Sequence, residues 1–142
     1  IGAAEPGLAD RMIEIFQANG SVHTWVVTGH EGFDEIALTG PTRVLELRDG
    51  EVREWTLDPG DFGLSIAGID ELVGGDPERN AEIARALFDG SETGARRDIV
   101  ALNAAAGLVV AGIADDVADG LERAMSVLAD GSAAGVLNSI TT

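Results

Sequence analysis

A mostly apolar run at residues 22–28, rich in β-branched side chains, leads directly into a glycine-rich loop at residues 29–35. Such a run predicts a buried strand, which we place at residues 23–28. Open α/β sheets bind their ligands in loops at the carboxyl ends of such strands. This loop ends in two adjacent carboxylates, Asp34 and Glu35. The junction between strand and loop is therefore where the sequence predicts a binding site.

The paired carboxylates suit a hard divalent cation. Mg²⁺ is usually held by one or two carboxylates and takes its other ligands from phosphates and water. In a chain with 25 acidic residues, neighbouring acids are also ordinary solvated surface. Residue type alone therefore leaves both interpretations of Asp34 and Glu35 open. Nearby His30 is expected to be a solvated loop residue, and His23, at the start of the strand, a structural one.

The charge balance restricts the class of partner. The chain of 142 residues carries a formal net charge of −16, and its nine basic residues are all Arg. Nucleic acids and anionic membranes require a positive face, so we expect neither as a partner. High-salt adaptation and GC-rich coding would both produce such an acidic, Lys-free chain, and composition leaves both open.

No segment has the pattern of a signal peptide or a membrane span, so the expected location is cytoplasmic. The chain contains no Cys, which excludes disulfides and thiolate metal sites. At this length we expect one domain with a substantial core.

Hydrophobic periodicity predicts a helix at residues 8–19, before the buried strand. Its apolar face is expected to contain Leu8, Met12, Ile15 and Phe16, which recur at helical spacing. A helix joined to a buried strand by a short loop forms an α/β unit.

Two alternating runs, residues 43–47 and 51–57, flank the dipeptide Asp49-Gly50. Asp-Gly between such runs predicts a tight β-hairpin, because glycine readily adopts the positive φ that the turn requires. Hairpin strands are antiparallel, so together with the α/β unit they predict a mixed sheet.

The segment that returns from the acidic loop to the hairpin contains three polar residues, Thr39, Thr42 and Arg43. We expect all three to fix the return of the loop. Arg43 is the nearest cation in the sequence, and we expect it to pair with Asp34 or Glu35.

The rest of the chain is predicted to be helical. Asp76 as N-cap and Pro77 as first residue begin a helix that ends near Phe88. Gly74-Gly75-Asp76 resembles a phosphate loop but is expected to be architectural, because Asp76 already occupies the helix end. Further helices are predicted at residues 97–111, 116–129 and 132–140. The first of them is apolar all round, so Asn103 within it is expected to bond to the backbone of a neighbouring loop.

Six blocks occur in a fixed order along the chain: GxxGFDE, LTGPTRV, the hairpin, DPxxFGL, GGDxxxN and LNAAAGL. Over nearly the whole chain, this order resembles the C-terminal part of anthranilate phosphoribosyltransferases. One departure is Thr28-Gly29, where that family usually has His followed by Gly.

The resemblance implies an α/β fold, in which residues 1–142 form the C-terminal portion of a nucleoside phosphorylase/phosphoribosyltransferase-like domain. It implies a mixed sheet with a β-hairpin and packed C-terminal helices. The intact enzyme would transfer the phosphoribosyl group of phosphoribosyl pyrophosphate (PRPP) to the amine of anthranilate, in tryptophan biosynthesis. Asp34 and Glu35 would bind the Mg²⁺ that holds the diphosphate, and the intact enzyme would be a homodimer. No catalytic residue is assigned within this chain.

The resemblance also implies that parts of the enzyme are missing from these residues. The N-terminal helical domain, the GTGGD-type PRPP loop and the KHGN segment of the family do not occur in the sequence. We therefore expect a C-terminal fragment that is inactive by itself. Three rival interpretations are a pyrimidine nucleoside phosphorylase-like enzyme, a non-catalytic nucleic-acid-binding paralogue and a structural or interaction module.

Overall fold

The structure, a computed structural model, describes residues 1–140, with the side chain of Ile140 left out. The chain divides into two compact units. The first contains Ile1–Ile66 together with Val110–Gly112, and the second contains Ala67–Val109 and the chain from Ile113 onward. The sequence did not predict this division. The assignment of residues 1–142 to part of a larger α/β domain stays a prediction.

The first unit contains a three-stranded antiparallel sheet in the order β1-β2-β3, with β1 at His23–Thr28, β2 at Thr42–Arg48 and β3 at Glu51–Leu57. Strands β2 and β3 form the predicted hairpin, with Arg48 opposite Glu51 and both turn residues, Asp49 and Gly50, at positive φ. A single parallel bridge joins Gly2 to Val27 on the other side of β1. The mixed character of the sheet is thus limited to that bridge.

Helix α1 (Pro6–Ala18) covers one face of the sheet. The buried side of this helix is set by Ala9 and Ile13, which pack against Val26, Leu45 and Leu47 in one cluster. The predicted face was partly wrong. Met12 and Phe16 lie against the cluster, but Leu8 and Ile15 are 41% and 58% exposed. The small side chain of Ala9 allows α1 to lie close to the sheet and shifts the buried face towards it.

The opposite face of the sheet carries a polar cluster centred on Glu46, which is 6% exposed. His23 Nε2 lies 3.1 Å from Glu46 Oε1, and Arg53 Nη2 donates to Glu46 Oε2 at 3.0 Å. Trp25 and Trp55 pack edge to face beside them, with ring centroids 5.0 Å apart. Burial opposes ionisation of Glu46, but the neighbouring Trp25, His23 and Arg53 together hold its pKa below the ordinary value. His23 is therefore structural, as predicted.

The second unit is helical. Its helices are α2 (Ile69–Leu72), α3 (Pro77–Phe88), α4 (Ala95–Val110, whose last residue belongs to the first unit), α5 (Val117–Ala129) and α6 (Ser132–Ile140). Helix α3 begins as predicted, α5 begins one residue later than predicted, and the short α2 was not predicted. Two aspartates, Asp76 and Asp116, cap α3 and α5 by accepting backbone N–H bonds at 2.8 and 2.9 Å.

Helices α4 and α5 approach closely because Gly120 has no side chain. A Cβ at Gly120 would lie 2.8 Å from the carbonyl oxygen of Ala105. The prediction that α4 is buried all round was too broad, since Ala104 and Gly107 are exposed. Asn103 Nδ2 donates to Ile99 O of its own helix at 3.0 Å, and its predicted bond to a neighbouring loop stays a prediction. Within residues 1–140, no helix is long and apolar enough to cross a membrane.

Candidate functional site

The loop that carries the two carboxylates is a compact turn at the carboxyl end of β1. Strand β1 ends at Thr28, and a short 3₁₀ turn follows at His30–Gly32. The N–H of Gly29 donates to Phe33 O at 2.8 Å and closes the turn. Glu31 and Gly32 have φ values of 60° and 81°, so the backbone reverses through the left-handed region. Asp34 and Glu35 follow directly after this reversal.

Asp34 and Glu35 are exposed, whereas the three residues that follow them are buried. Ile36, Ala37 and Leu38 are at most 1% exposed. The N–H of Ala37 donates to the hydroxyl of the fully buried Thr42 at 3.1 Å. The segment that carries the carboxylates is therefore anchored directly behind them. This hydrogen bond agrees with the prediction that Thr42 fixes the return of the loop.

The electrostatics of the pair are those of two acids without a local counter-ion. Glu35 is exposed as a residue but its carboxyl is partly shielded from water, and this partial burial, with a smaller contribution from repulsion by Asp34, raises the pKa of Glu35. Within residues 1–140, no salt bridge reaches either carboxylate. A bound cation would relieve this repulsion.

Arg43 was expected to neutralise the pair, and this prediction was wrong. Its Nη2 donates instead to Asp10 Oδ1 at 2.8 Å and to Glu54 Oε2 at 2.7 Å. Arg43 lies on the face of the sheet that packs against α1, and these partners come from α1 and from β3. Two nearer acids therefore occupy this guanidinium.

Close backbone approaches hold the loop in shape. A Cβ at Gly29 would lie 2.4 Å from Glu35 O, and a Cβ at Gly40 would lie 2.7 Å from the ring of His30. His30 itself is half exposed, 4.0 Å from the carboxylate of Glu31, in agreement with the predicted solvated loop residue. Gly2 makes the tightest approach of all, against Asp34, and sequence reasoning missed it because the two residues lie far apart in the chain.

The donor set fits a cation that needs further ligands from a substrate. In the part of the chain that the structure describes, no three His, Cys, Asp or Glu side chains are grouped to hold a metal ion. Two exposed carboxylates cannot form a complete protein cage, but they match the one or two protein ligands that Mg²⁺ usually takes beside phosphates and water. Asp34 and Glu35 could therefore hold such a cation, which would take its remaining ligands from elsewhere.

The other glycine-rich segment has no comparable free groups. Asp76 Oδ1 accepts the N–H of Arg79 at 2.8 Å, and the amide of Asn80 bonds to both the N–H and the C=O of Gly75. The architectural role predicted for Gly74-Gly75-Asp76 agrees with these contacts. The hydroxyl of Thr39, by contrast, has no hydrogen-bond partner among the described residues, so its predicted role in fixing the loop is not visible.

Comparisons with known proteins agree with the resemblance seen in the sequence. A curated anthranilate phosphoribosyltransferase from Methylorubrum extorquens (strain PA1) is 45% identical over 136 residues, covering 96% of this chain and 40% of that protein. The crystal structure of anthranilate phosphoribosyltransferase from Thermus thermophilus superposes with a TM-score of 0.88 at 38% identity, over 97% of this chain and 40% of that one.

A more distant structure shows the fold alone. The Saccharomyces cerevisiae anthranilate phosphoribosyltransferase, solved in complex with PRPP and Mg, has a TM-score of 0.86 at 22% identity, over 96% of this chain and 40% of that one. In all three comparisons the chain spans about two fifths of the length of the protein that it matches.

A family model matches almost the whole chain. The model describes the glycosyl transferase family, a/b domain, and it matches residues 1–134. The α/β fold expected from the sequence is therefore confirmed, and the chain belongs to the glycosyl transferase family through its a/b domain.

Proposed function

We propose that this chain is the C-terminal part of the α/β domain of an anthranilate phosphoribosyltransferase. Its role there is to hold Mg²⁺ through Asp34 and Glu35. The observation that carries the proposal is the exposed carboxylate pair, free of any counter-ion among residues 1–140, at the carboxyl end of β1. The 45% and 38% identities to proteins of that name supply the reaction.

The chemistry fits the donor set. Transfer of phosphoribose from PRPP to the amine of anthranilate releases diphosphate, whose oxygens gain negative charge as the bond to ribose breaks. A bound Mg²⁺ would stabilise that charge. Asp34 and Glu35 would be the protein ligands of the cation, and the buried segment behind them keeps their backbone fixed. The proposal is supported by the yeast enzyme, which shares this fold and was solved in complex with PRPP and Mg.

Other parts of the reaction belong outside these residues. The PRPP loop and the anthranilate-binding segments of the family have no counterpart in the sequence, so the chain alone should not catalyse the transfer. We expect the intact enzyme to be a cytoplasmic homodimer. The inactivity of the isolated chain, the cytoplasmic location and the homodimer all stay predictions.

Loss of anthranilate fluorescence in the presence of PRPP and Mg²⁺ tests the proposal. The complete enzyme that carries this chain should turn over, and the Asp34→Asn, Glu35→Gln double variant should be at least about 100-fold slower, because charge stabilisation of this kind contributes a factor of that order. Glu78→Gln, at an exposed position of α3, is the matched control and should retain activity. A double variant with wild-type turnover at limiting Mg²⁺ would refute the metal site. Turnover by the 142-residue chain alone would refute the prediction that this chain is inactive by itself.

A further inference from the structure

The carboxylate loop rests on a residue that no sequence motif identifies. A Cβ built on Gly2 would lie 1.5 Å from the carbonyl oxygen of Asp34 and 2.9 Å from its Cα. The first of these distances is the shortest of its kind at any glycine of the described chain. The backbone of Asp34 therefore lies directly on the backbone of Gly2.

Space, and not backbone conformation, requires glycine here. Gly2 is not among the glycines with positive φ, so an alanine could adopt its backbone angles without strain. What an alanine lacks is room. Ordinary van der Waals contact begins at 3.4 Å, so a Cβ would have to push the backbone of Asp34 away by roughly 2 Å.

The segment that carries Gly2 cannot itself retreat. The N–H of Val27 donates to Ile1 O at 3.0 Å, and the N–H of Ala3 donates to Val27 O at 2.9 Å, so both flanks of Gly2 are bonded to β1. Ala3 is 2% exposed and belongs to the cluster beneath α1. An added side chain at Gly2 would therefore displace the loop and not the segment beneath it.

We propose that Gly2 is a positioning residue for the metal-binding pair. Its backbone contact with Asp34 determines how far Asp34 and Glu35 lie from the edge of the sheet. This inference rests on the proposed function, because it takes the pair to be the cation site. Binding groups must be held within about 0.5 Å of their productive geometry. A shift of the size that alanine requires at Gly2 far exceeds that tolerance.

The test measures binding of Mn²⁺, a paramagnetic substitute for Mg²⁺, to the ¹⁵N-labelled chain by broadening of the amide signals of Asp34 and Glu35. In the Gly2→Ala variant, the apparent Kd for Mn²⁺ should rise at least ten-fold while the dispersed spectrum of the fold is kept. Gly7→Ala is the matched control, because a Cβ at Gly7, in α1, meets no atom within 4 Å, and its Kd should equal that of the wild type. A folded Gly2→Ala chain with the wild-type Kd would overturn the role of Gly2.

A second variant keeps the inference testable if Gly2→Ala does not fold. Ala3→Gly removes the buried methyl group that holds the segment against the cluster, without adding any atom next to Asp34. It should weaken Mn²⁺ binding about three-fold, and an unchanged Kd in that case would overturn the inference.

The carboxylate variant separates this inference from the function on which it rests. If the Asp34→Asn, Glu35→Gln chain still shows the same broadening, the metal site itself is refuted. If that chain loses the broadening while Gly2→Ala retains it, only the positioning role is refuted.

Discussion

Two glycine-rich, acidic segments of this chain look alike in sequence and differ in what their carboxylates do. In the first, residues 29–35, Asp34 and Glu35 are exposed and no cation of the described chain pairs with them. In the second, Gly74-Gly75-Asp76, the carboxylate of Asp76 accepts a hydrogen bond from the N–H of Arg79 at the start of α3. The first segment follows a buried strand and is anchored from behind, whereas the second opens onto a helix whose free N–H groups attract the acid.

The difference shows that the next structural element decides whether an acidic loop is available to a ligand. A helix start supplies N–H donors that satisfy a nearby carboxylate. In the buried segment after Glu35, the N–H of Ala37 is already used by Thr42. The carboxylates of the first loop are therefore left with their charge unneutralised, and the pKa of Glu35 is raised by burial and by Asp34.

Among substitutions within the two loops, the largest expected effect is that of Gly29→Ala. The φ of Gly29 is −72°, which alanine tolerates, but a Cβ would lie 2.4 Å from Glu35 O. Overpacking of this kind should lower the free energy of unfolding by about 3 kcal/mol and weaken Mn²⁺ binding. Gly135→Ala, in an open position of α6, should instead leave binding unchanged and raise stability slightly. Urea denaturation and the Mn²⁺ titration measure both effects, and a Gly29→Ala chain as stable as wild type would contradict the tight loop.

Thr42→Val tests the anchor behind the carboxylates. Valine matches threonine in shape but leaves the buried N–H of Ala37 without an acceptor, so we expect a loss of about 2 kcal/mol in the free energy of unfolding. Thr56→Val, at an exposed position of β3, is the control and should change stability little. Faster amide hydrogen exchange at Ala37 in the first variant would locate the effect. Equal losses from both variants would show that the anchor is not special.

Asp76→Ala tests the second loop, where the carboxylate is a helix cap. Loss of the cap should lower stability by about 1 kcal/mol and leave metal binding unchanged. Asp116→Ala removes the equivalent bond at α5 and should have the same effect. Thermal unfolding of both variants, with and without Mg²⁺, makes the comparison. Weaker metal binding in Asp76→Ala would mean that the two loops do not differ as described.

The smallest expected effect is a gain in stability from Glu35→Gln without metal. A raised pKa means that the folded chain binds the proton of Glu35 more readily than the unfolded chain does. Stability should therefore fall as the pH rises through the ordinary carboxyl value of 4.5 towards the raised one, and the variant escapes this loss. The gain at pH 7 should be about 0.5 kcal/mol or less, since the carboxyl is exposed and solvent screens it.

Denaturation at several pH values measures this gain, with Glu14→Gln on the exposed side of α1 as the control. The gain should fade as the pH falls below 4.5 and Glu35 becomes protonated in both states, and millimolar Mg²⁺ should reduce it at pH 7. A variant less stable than wild type at pH 7 without metal would contradict the repulsion between Asp34 and Glu35.

Local patterns predicted most of the elements because each depends on residues close in sequence. Strand β1, the Asp49-Gly50 turn and the Asp76 cap follow from alternation, positive φ and hydrogen-bonding side chains within a few residues. The face of α1 was partly mistaken because the closeness of α1 to the sheet depends on a partner strand that helical periodicity does not identify.

The parts of the site that sequence reasoning missed depend on contacts between distant residues. Arg43 pairs with Asp10 and Glu54, which lie 33 and 11 residues away and are brought to it by the sheet and by α1. Gly2 meets Asp34 only because the first residues of the chain bond to β1. No local pattern marks either contact. Asp34 and Glu35, by contrast, were singled out by their place after a buried strand and by the resemblance.

Calorimetric titration of PRPP into the complete enzyme, with and without Mg²⁺, tests the metal site most directly. Wild-type enzyme should show binding that Mg²⁺ strengthens. In the Asp34→Asn, Glu35→Gln variant, the Mg²⁺-dependent part of the binding free energy should disappear. Equal strengthening by Mg²⁺ in both proteins would contradict the assignment of this pair.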